Sequence, residues 1–165
     1  MSDIKVFYGS TSGNTETSAK KIAGKLEADC INIADAKPED FSGSLLIFGT
    51  STWGIGELQD DWENGIDKLK PEILSGKKVA LFGLGDQSGF GDTFIDGVGT
   101  IYHKAVECGA DVIGKWSIEG YEYSGSTADL GGQFAGLALD DDNEPGKTDE
   151  RIAKWVDQLK IEADL

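Results

Sequence analysis

One short segment of the chain is rich in groups that could bind a phosphate. Residues 9–15 read Gly-Ser-Thr-Ser-Gly-Asn-Thr and lie between an apolar run and an amphipathic one. The hydroxyl groups can donate hydrogen bonds, and the glycines allow close backbone approach to a ligand. A helix starting here would add unpaired N–H groups and a positive dipole end. Since the segment has no Lys or Arg, neutral donors would hold the phosphate; an ordinary Ser/Thr-rich turn is the alternative.

Two later segments carry an aromatic side chain among glycines. Residues 50–58 place Trp53 beside glycine after an apolar run, and residues 83–92 place Phe90 in a similar setting. An aromatic ring at the end of a buried strand is poorly placed for the core and could cover a flat ligand. Each segment taken alone also fits a plain surface loop, because single tryptophans often pack over neighbouring loops.

The elements that must position these segments alternate along the chain. Short β-rich runs predict strands at 4–8, 30–33, 45–50, 78–84 and 112–116. Apolar residues at helical spacing predict helices at 14–26, 58–69, 94–105 and from 148 onward. A Gly- and Ser-rich excursion at 117–133 interrupts the fifth strand, which is expected to resume at 134–139.

This alternation predicts a single α/β domain over residues 1–165, with a doubly wound parallel sheet. In such a sheet, ligands bind where the carboxyl ends of the strands meet, at the switch point beside the first strand. All three loops follow strands and would therefore meet at that edge. One phosphate-binding loop and two aromatic-bearing loops suit a planar ring system that carries a phosphate on a polar tether.

The composition narrows the class of protein. The chain has 165 residues, with 30 Asp and Glu against 15 Lys and Arg, so its net charge is −15. That charge disfavours nucleic acid and anionic membranes and favours basic protein partners. No signal peptide or membrane span is visible, so a cytoplasmic protein is expected. Two distant cysteines and a single histidine provide no metal-site spacing, so no metal is predicted.

The loops together resemble those of the flavodoxin family, over essentially the whole chain. The supporting stretches are 10–15, 52–57, 83–87 and Leu-Ala-Leu-Asp-Asp-Asp-Asn at 137–143. The excursion resembles the insertion of long-chain bacterial flavodoxins. The resemblance implies a five-stranded sheet in the order 2-1-3-4-5 with an insertion in the fifth strand. It also implies noncovalent FMN and a low-potential, one-electron carrier rather than an enzyme.

The resemblance also implies a set of cofactor-binding residues. The first loop would hold the phosphate, Trp53 would cover the inner face of the ring, and Asp142 would lie near the ribityl chain. Phe90 stands where most flavodoxins have a stacking tyrosine, and Thr93 stands where many have Asn. The full predicted set is Ser10, Thr11, Ser12, Gly13, Asn14, Thr15, Ser51, Thr52, Trp53, Gly54, Ile55, Gly56, Leu84, Gly85, Asp86, Phe90, Thr93 and Asp142.

The resemblance suggests redox proteins as partners, and it leaves one alternative open. A monomer that meets basic-faced proteins, such as a ferredoxin-NADP reductase or a pyruvate oxidoreductase, fits the negative charge. The alternative is an FMN-dependent quinone or NAD(P)H oxidoreductase on the same fold. A response-regulator receiver would need acidic residues after the first and third strands, where this chain has hydroxyl side chains.

Overall fold

Strands and helices alternate along the chain as the sequence pattern predicts. The computed structural model describes residues 3–10, 13–53 and 56–165. Of Trp53, it describes the backbone alone. The strands are β1 (Ile4–Tyr8), β2 (Asp29–Asn32), β3 (Leu45–Trp53), β4 (Glu57–Leu58), β5 (Lys78–Leu84), β6 (Asp111–Ile113), β7 (Trp116–Ser117), β8 (Gln133–Phe134) and β9 (Leu137–Leu139). The α-helices are α1 (Asn14–Leu26), α2 (Asp60–Gly65), α3 (Pro71–Leu74), α4 (Asp96–Glu107) and α5 (Thr148–Glu162).

The parallel sheet has the predicted order. Its strands run β2-β1-β3-β5, and β6 and β9 both pair with β5. Lys78 at the start of β5 pairs with Asp111 of β6, and Leu84 at its end pairs with Leu139 of β9. The two short strands therefore share the fifth position. The predicted order 2-1-3-4-5, with an interruption in the fifth strand, is confirmed.

The interruption is longer than the sequence suggests. Trp116 and Phe134 were expected within the fifth strand, but they pair with each other in the antiparallel ladder of β7 and β8. The parallel strand already ends at Ile113, because Gly114 follows with φ +75° and turns the chain away. The expectation that the strand runs to 116 and resumes at 134 was therefore wrong by a few residues at each side.

The helix expected at 58–69 is also divided. Leu58 belongs to β4, which pairs antiparallel with the end of β3. Gln59 then caps α2, since its side-chain oxygen accepts hydrogen bonds from the N–H groups of Asp61 and Trp62. A 3₁₀ turn at Ile66–Lys68 completes the segment.

Two apolar cores cover the two faces of the sheet. On one face, α1 and α5 pack against the sheet, with Trp155 lying edge-on to Phe82. On the other face, α2 and α4 cover Phe48, which lies edge-on to Trp62. Both cores lie between the sheet and its helices, so the ends of the strands remain the accessible part of the sheet. In the described ranges, no helix is long and apolar enough to cross a membrane.

Two glycine substitutions should change stability in opposite directions. Gly114 has φ +75°, and an added Cβ would lie 2.9 Å from a Leu159 methyl group and 3.0 Å from Trp155 Nε1. We expect Gly114→Ala to lower the free energy of unfolding by about 1–3 kcal/mol. Gly24 is exposed within α1, and an added Cβ there would have no neighbour within 4 Å. Gly24→Ala should therefore raise the free energy of unfolding by about 0.5–1 kcal/mol. Urea denaturation of the apoproteins measures both; equal effects would contradict the strain at Gly114.

Candidate functional site

A cavity of about 350 Å³ opens where β1, β3 and β5 end. Its volume is in the range of small-molecule sites. Three loops and the segment after β9 contribute to its walls. The described lining residues are Asn14, Thr15, Ser51, Thr52, Leu84, Gly85, Asp86, Phe90, Asp141 and Asp142.

The first wall is formed by the start of α1. Asn14 and Thr15 are its first two residues, and both line the cavity. Ser10 and Gly13 shape the turn before them, since the Ser10 hydroxyl oxygen accepts a hydrogen bond from the Gly13 N–H at 3.0 Å. Gly13 has φ +94°, a conformation that favours glycine. The first turn of a helix leaves N–H groups without intrahelical partners, and here that turn faces the cavity.

The entry to this loop is fixed against β3. The carbonyl of Gly49 accepts hydrogen bonds from the Gly9 N–H at 3.2 Å and from the Trp62 indole N–H at 2.6 Å. Trp62 is fully buried. An added Cβ on Gly9 would lie 2.2 Å from the Gln59 side-chain oxygen. The predicted phosphate-binding loop therefore starts at a closely packed position that only glycine fits.

The second wall is the end of β3. Ser51 and Thr52 line the cavity, and the Thr52 hydroxyl oxygen accepts a hydrogen bond from the Gly97 N–H of α4 at 2.8 Å. Gly56 and Thr93 lie beside each other, because a Cβ on Gly56 would be 3.4 Å from the Thr93 methyl group.

The third wall is the loop after β5. The Asp86 carboxylate accepts hydrogen bonds from the Ser88 and Gly89 N–H groups and from the Asn143 side chain, at 3.1, 2.7 and 2.8 Å. These hydrogen bonds lower the pKa of Asp86, and the bond from Gly89 contributes most. The resulting turn carries Phe90, which is 48% exposed at the edge of the cavity. A flat ligand could cover this aromatic surface.

The fourth wall is acidic. Asp141 and Asp142 line the cavity after β9, and Asp140 before them is fully buried. Burial is the main cause that raises the pKa of Asp142, and the nearby carboxylates of Asp86, Asp140 and Asp141 raise it further. Asp141 and Asp142 thus bring two carboxylates to the lining of the cavity, in addition to that of Asp86.

The cavity brings together half of the residues predicted from the sequence. Those that line it are Asn14, Thr15, Ser51, Thr52, Leu84, Gly85, Asp86, Phe90 and Asp142. Predicted residues that are described but do not line it are Ser10, Gly13, Gly56 and Thr93. Thr11, Ser12, Gly54, Ile55 and the Trp53 side chain lie outside the described residues. The binding roles of all these residues stay predictions.

Asp141 was missed by the sequence reasoning, although the acidic run at 140–142 was visible. The supporting roles of Gln87, Asp140 and Asn143 were also missed. Glycine-rich and acidic motifs mark where loops lie, but they give no sign of which side chains from distant motifs will pair.

The donor set of the cavity suits a ligand with an anionic and a flat part. Among the described residues that line it, none is Lys, Arg or His. Neutral hydroxyl, amide and backbone donors cluster at the start of α1, while Leu84 and Phe90 provide apolar surface on another wall. Within the described part of the chain, no group of His, Cys, Asp and Glu side chains could hold a metal ion.

Known proteins share both the sequence pattern and the fold of this chain. The flavodoxin family model matches residues 6–155. The chain is 46% identical to a flavodoxin of Trichodesmium erythraeum over 98% of both chains, and 40% identical to that of Helicobacter pylori over 97% of this chain and 98% of the other. The crystal structure of Fusobacterium nucleatum flavodoxin bound to flavin mononucleotide is similar, with a TM-score of 0.89 and 34% identity over 96% of this chain and 97% of that one. This chain therefore belongs to the flavodoxin family.

Proposed function

We propose that this protein is a low-potential, one-electron carrier that uses noncovalently bound FMN and shuttles electrons between redox proteins. Flavodoxins are electron-transfer proteins rather than enzymes. The observation that carries the proposal is the cavity at the carboxyl edge of the sheet, with uncharged donors at a helix start and an exposed aromatic ring at another wall. The similar Fusobacterium nucleatum structures contain FMN.

The donors of the cavity fit the two ends of FMN. The phosphate would lie at the start of α1, where Asn14, Thr15 and the unpaired N–H groups of the first turn can donate to its oxygens. The ring would lie between the loops after β3 and β5, where Leu84 and Phe90 provide apolar contact and Asp86 a polar edge. FMN supplies the one-electron chemistry when bound. The protein orients it and limits the access of water to it.

The acidic wall supports a low reduction potential. Adding an electron to a bound cofactor becomes less favourable when carboxylates lie near it. A carboxylate about 10 Å away opposes a new negative charge by roughly 1.7 kcal/mol at an effective dielectric of 20. Asp86, Asp141 and Asp142 all line the cavity, so several such contributions act together.

The net charge of −15 supports redox partners with basic faces. The proposed kind of partner is a ferredoxin-NADP reductase or a pyruvate oxidoreductase. This protein would meet it in the cytoplasm as a monomer. Opposite charges would raise the rate of encounter and orient the cavity edge toward the partner.

A visible spectrum of the purified protein is the direct test of the cofactor. We expect a yellow protein that releases FMN on denaturation. Incubation with NADPH should give no steady oxidation until a reductase is added. Steady NADPH or quinone turnover by the protein alone would contradict the carrier function and favour the oxidoreductase alternative.

The phosphate contact can be tested at Thr15, which is buried and lines the cavity. Thr15→Ala would remove a donor to the phosphate, at a cost of about 1–3 kcal/mol in FMN affinity. Riboflavin has no phosphate, so its affinity should be nearly unchanged. Titration of the apoproteins with each flavin measures both values.

Thr17→Ala is the matched control, because the Thr17 hydroxyl is exposed and donates to the Gly13 carbonyl at 2.9 Å. It should leave both affinities close to the parent values. An equal loss of FMN and riboflavin affinity in Thr15→Ala would show that Thr15 does not bind the phosphate.

The acidic wall should lower the reduction potential of the bound cofactor. Asp142→Asn removes a carboxylate from the cavity, so the potential of the second one-electron step of reduction should rise by roughly 20–70 mV. The rise should shrink as salt increases. Asp157→Asn, at an exposed position in the middle of α5 that does not line the cavity, is the control for net charge. Equal shifts in the two variants would contradict a local effect.

Association with a basic partner should depend on salt. Raising the ionic strength from about 0.01 to 1 M shortens the Debye length from roughly 30 to 3 Å, so stopped-flow transfer rates with a ferredoxin-NADP reductase should fall steeply. Electron transfer to a small neutral quinone should change little over the same range. Similar salt dependence for both acceptors, or none for either, would argue against a basic-faced partner.

A further inference from the structure

We propose that Gln87 is a positioning residue for the flavin ring, because its side chain ties the cavity loop after β5 to the insertion and to the segment after β9. Gln87 follows Asp86 directly, but it does not line the cavity. It is 8% exposed, so its amide must find partners within the protein. This inference rests on the proposed binding of FMN in the cavity.

The side-chain amide of Gln87 bridges two segments that are distant in sequence. Its nitrogen donates a hydrogen bond to the Glu144 carboxylate at 2.7 Å, and its oxygen accepts one from the Glu122 backbone N–H at 2.6 Å. The backbone N–H of Gln87 donates to the buried Asp140 carboxylate at 3.1 Å. A side chain of this size must both donate and accept to make these contacts, which glutamine does and glutamate or leucine does not.

The Glu144 partner is itself held firmly. Its carboxylate accepts hydrogen bonds from Lys147 at 2.6 Å and from Arg151 at 2.9 Å, in addition to Gln87. The hydrogen bonds from Lys147, Arg151 and Gln87 lower the pKa of Glu144 to about 2, so it is ionised at neutral pH. The Arg151 guanidinium lies 4.3 Å from the centre of the Tyr121 ring in the insertion. Gln87 is therefore anchored to α5 and the insertion at once.

The insertion supports the far end of the same loop. The carbonyl of Gly91 accepts hydrogen bonds from the backbone N–H groups of Ser124 and Gly125, at 2.8 and 3.0 Å. The Phe94 N–H donates to the Gly125 carbonyl at 3.1 Å. The insertion thus holds the loop on both sides of Phe90, at Gln87 and at residues 91–94.

The contacts of Gln87 bear on the ring rather than on the phosphate. The side-chain contacts with Glu122 and Glu144 hold the loop that carries Asp86 and Phe90 of the third wall. The contact with Asp140 is made by the backbone, so it remains in side-chain variants. The start of α1 is held by separate contacts at Gly9 and Ser10. Losing the Gln87 bridge should therefore weaken binding of any flavin, with or without a phosphate.

The test uses the full-length protein with four variants: Gln87→Leu, Gln87→Glu, Glu144→Gln and the double variant Gln87→Glu with Glu144→Gln. Gln158→Leu is the matched control, since this glutamine on α5 also donates to a backbone carbonyl, that of Lys115, but does not line or support the cavity. FMN and riboflavin affinities, the visible circular dichroism of the bound flavin and the melting temperature of each apoprotein are measured.

We expect Gln87→Leu to weaken FMN and riboflavin binding by the same factor, about tenfold, and to change the circular dichroism of bound FMN. Gln87→Glu should weaken both further, because it places a second carboxylate beside Glu144. In the double variant, the amide at position 144 can donate to the carboxylate at position 87, so part of the affinity and the dichroism should return. Gln158→Leu should change neither.

Several results would overturn the inference. Unchanged flavin binding and dichroism in Gln87→Leu would do so, as would a loss confined to FMN, which is the pattern expected of Thr15→Ala. An equal loss in Gln158→Leu would show a general effect of stability. If Gln87→Leu does not fold, the isosteric Gln87→Glu and its double variant decide, and absence of recovery in a folded double variant overturns the inference. A parent protein that binds no flavin would instead refute the proposed function.

Discussion

Burial of both faces of the parallel sheet constrains where this molecule can bind a ligand. Ile47 and Phe48 are consecutive in β3 and belong to opposite cores, and both are fully buried. The cavity that holds the predicted site residues lies at the edge where the strands end. The segments at that edge extend beyond the parallel ladder, and side-chain contacts help to hold them. Ser10 with Gly13, Thr52 with Gly97, and Asp86 with Asn143 do this in the three loops.

The walls of the cavity are organised in different ways. The wall at α1 combines a local turn, in which Ser10 accepts a hydrogen bond from the Gly13 N–H, with the contact of Gly9 with Gly49 of β3. The third and fourth walls depend mainly on contacts between segments far apart in the chain. Asp86 and Asn143, or Gln87 and Glu122, meet only when the sheet and the insertion have both formed.

The same division explains how much could be predicted from the sequence. The bounds of β1, α1 and β5 were predicted as observed, since each is a periodic or apolar run that ends at a glycine or a loop. Trp116 and Phe134 were wrongly assigned to the fifth strand. Each is an apolar residue next to a strand, and nothing in the sequence indicates that the two pair with each other in an antiparallel ladder. Nine predicted site residues line the cavity because strand ends converge. The Gln87 network could not be predicted, because pairing of side chains over such distances leaves no periodic signal.

The division of the fifth strand has a consequence for how the protein matures. β6 is synthesised before the insertion, and β9 and the acidic segment follow only after it. Closing that long loop against β5 is a non-local step with an entropic cost, and such steps slow folding. The amino-terminal strands can assemble while the chain is still growing, yet the fourth wall of the cavity is then missing. The cavity is therefore complete only when the last third of the chain has joined the sheet.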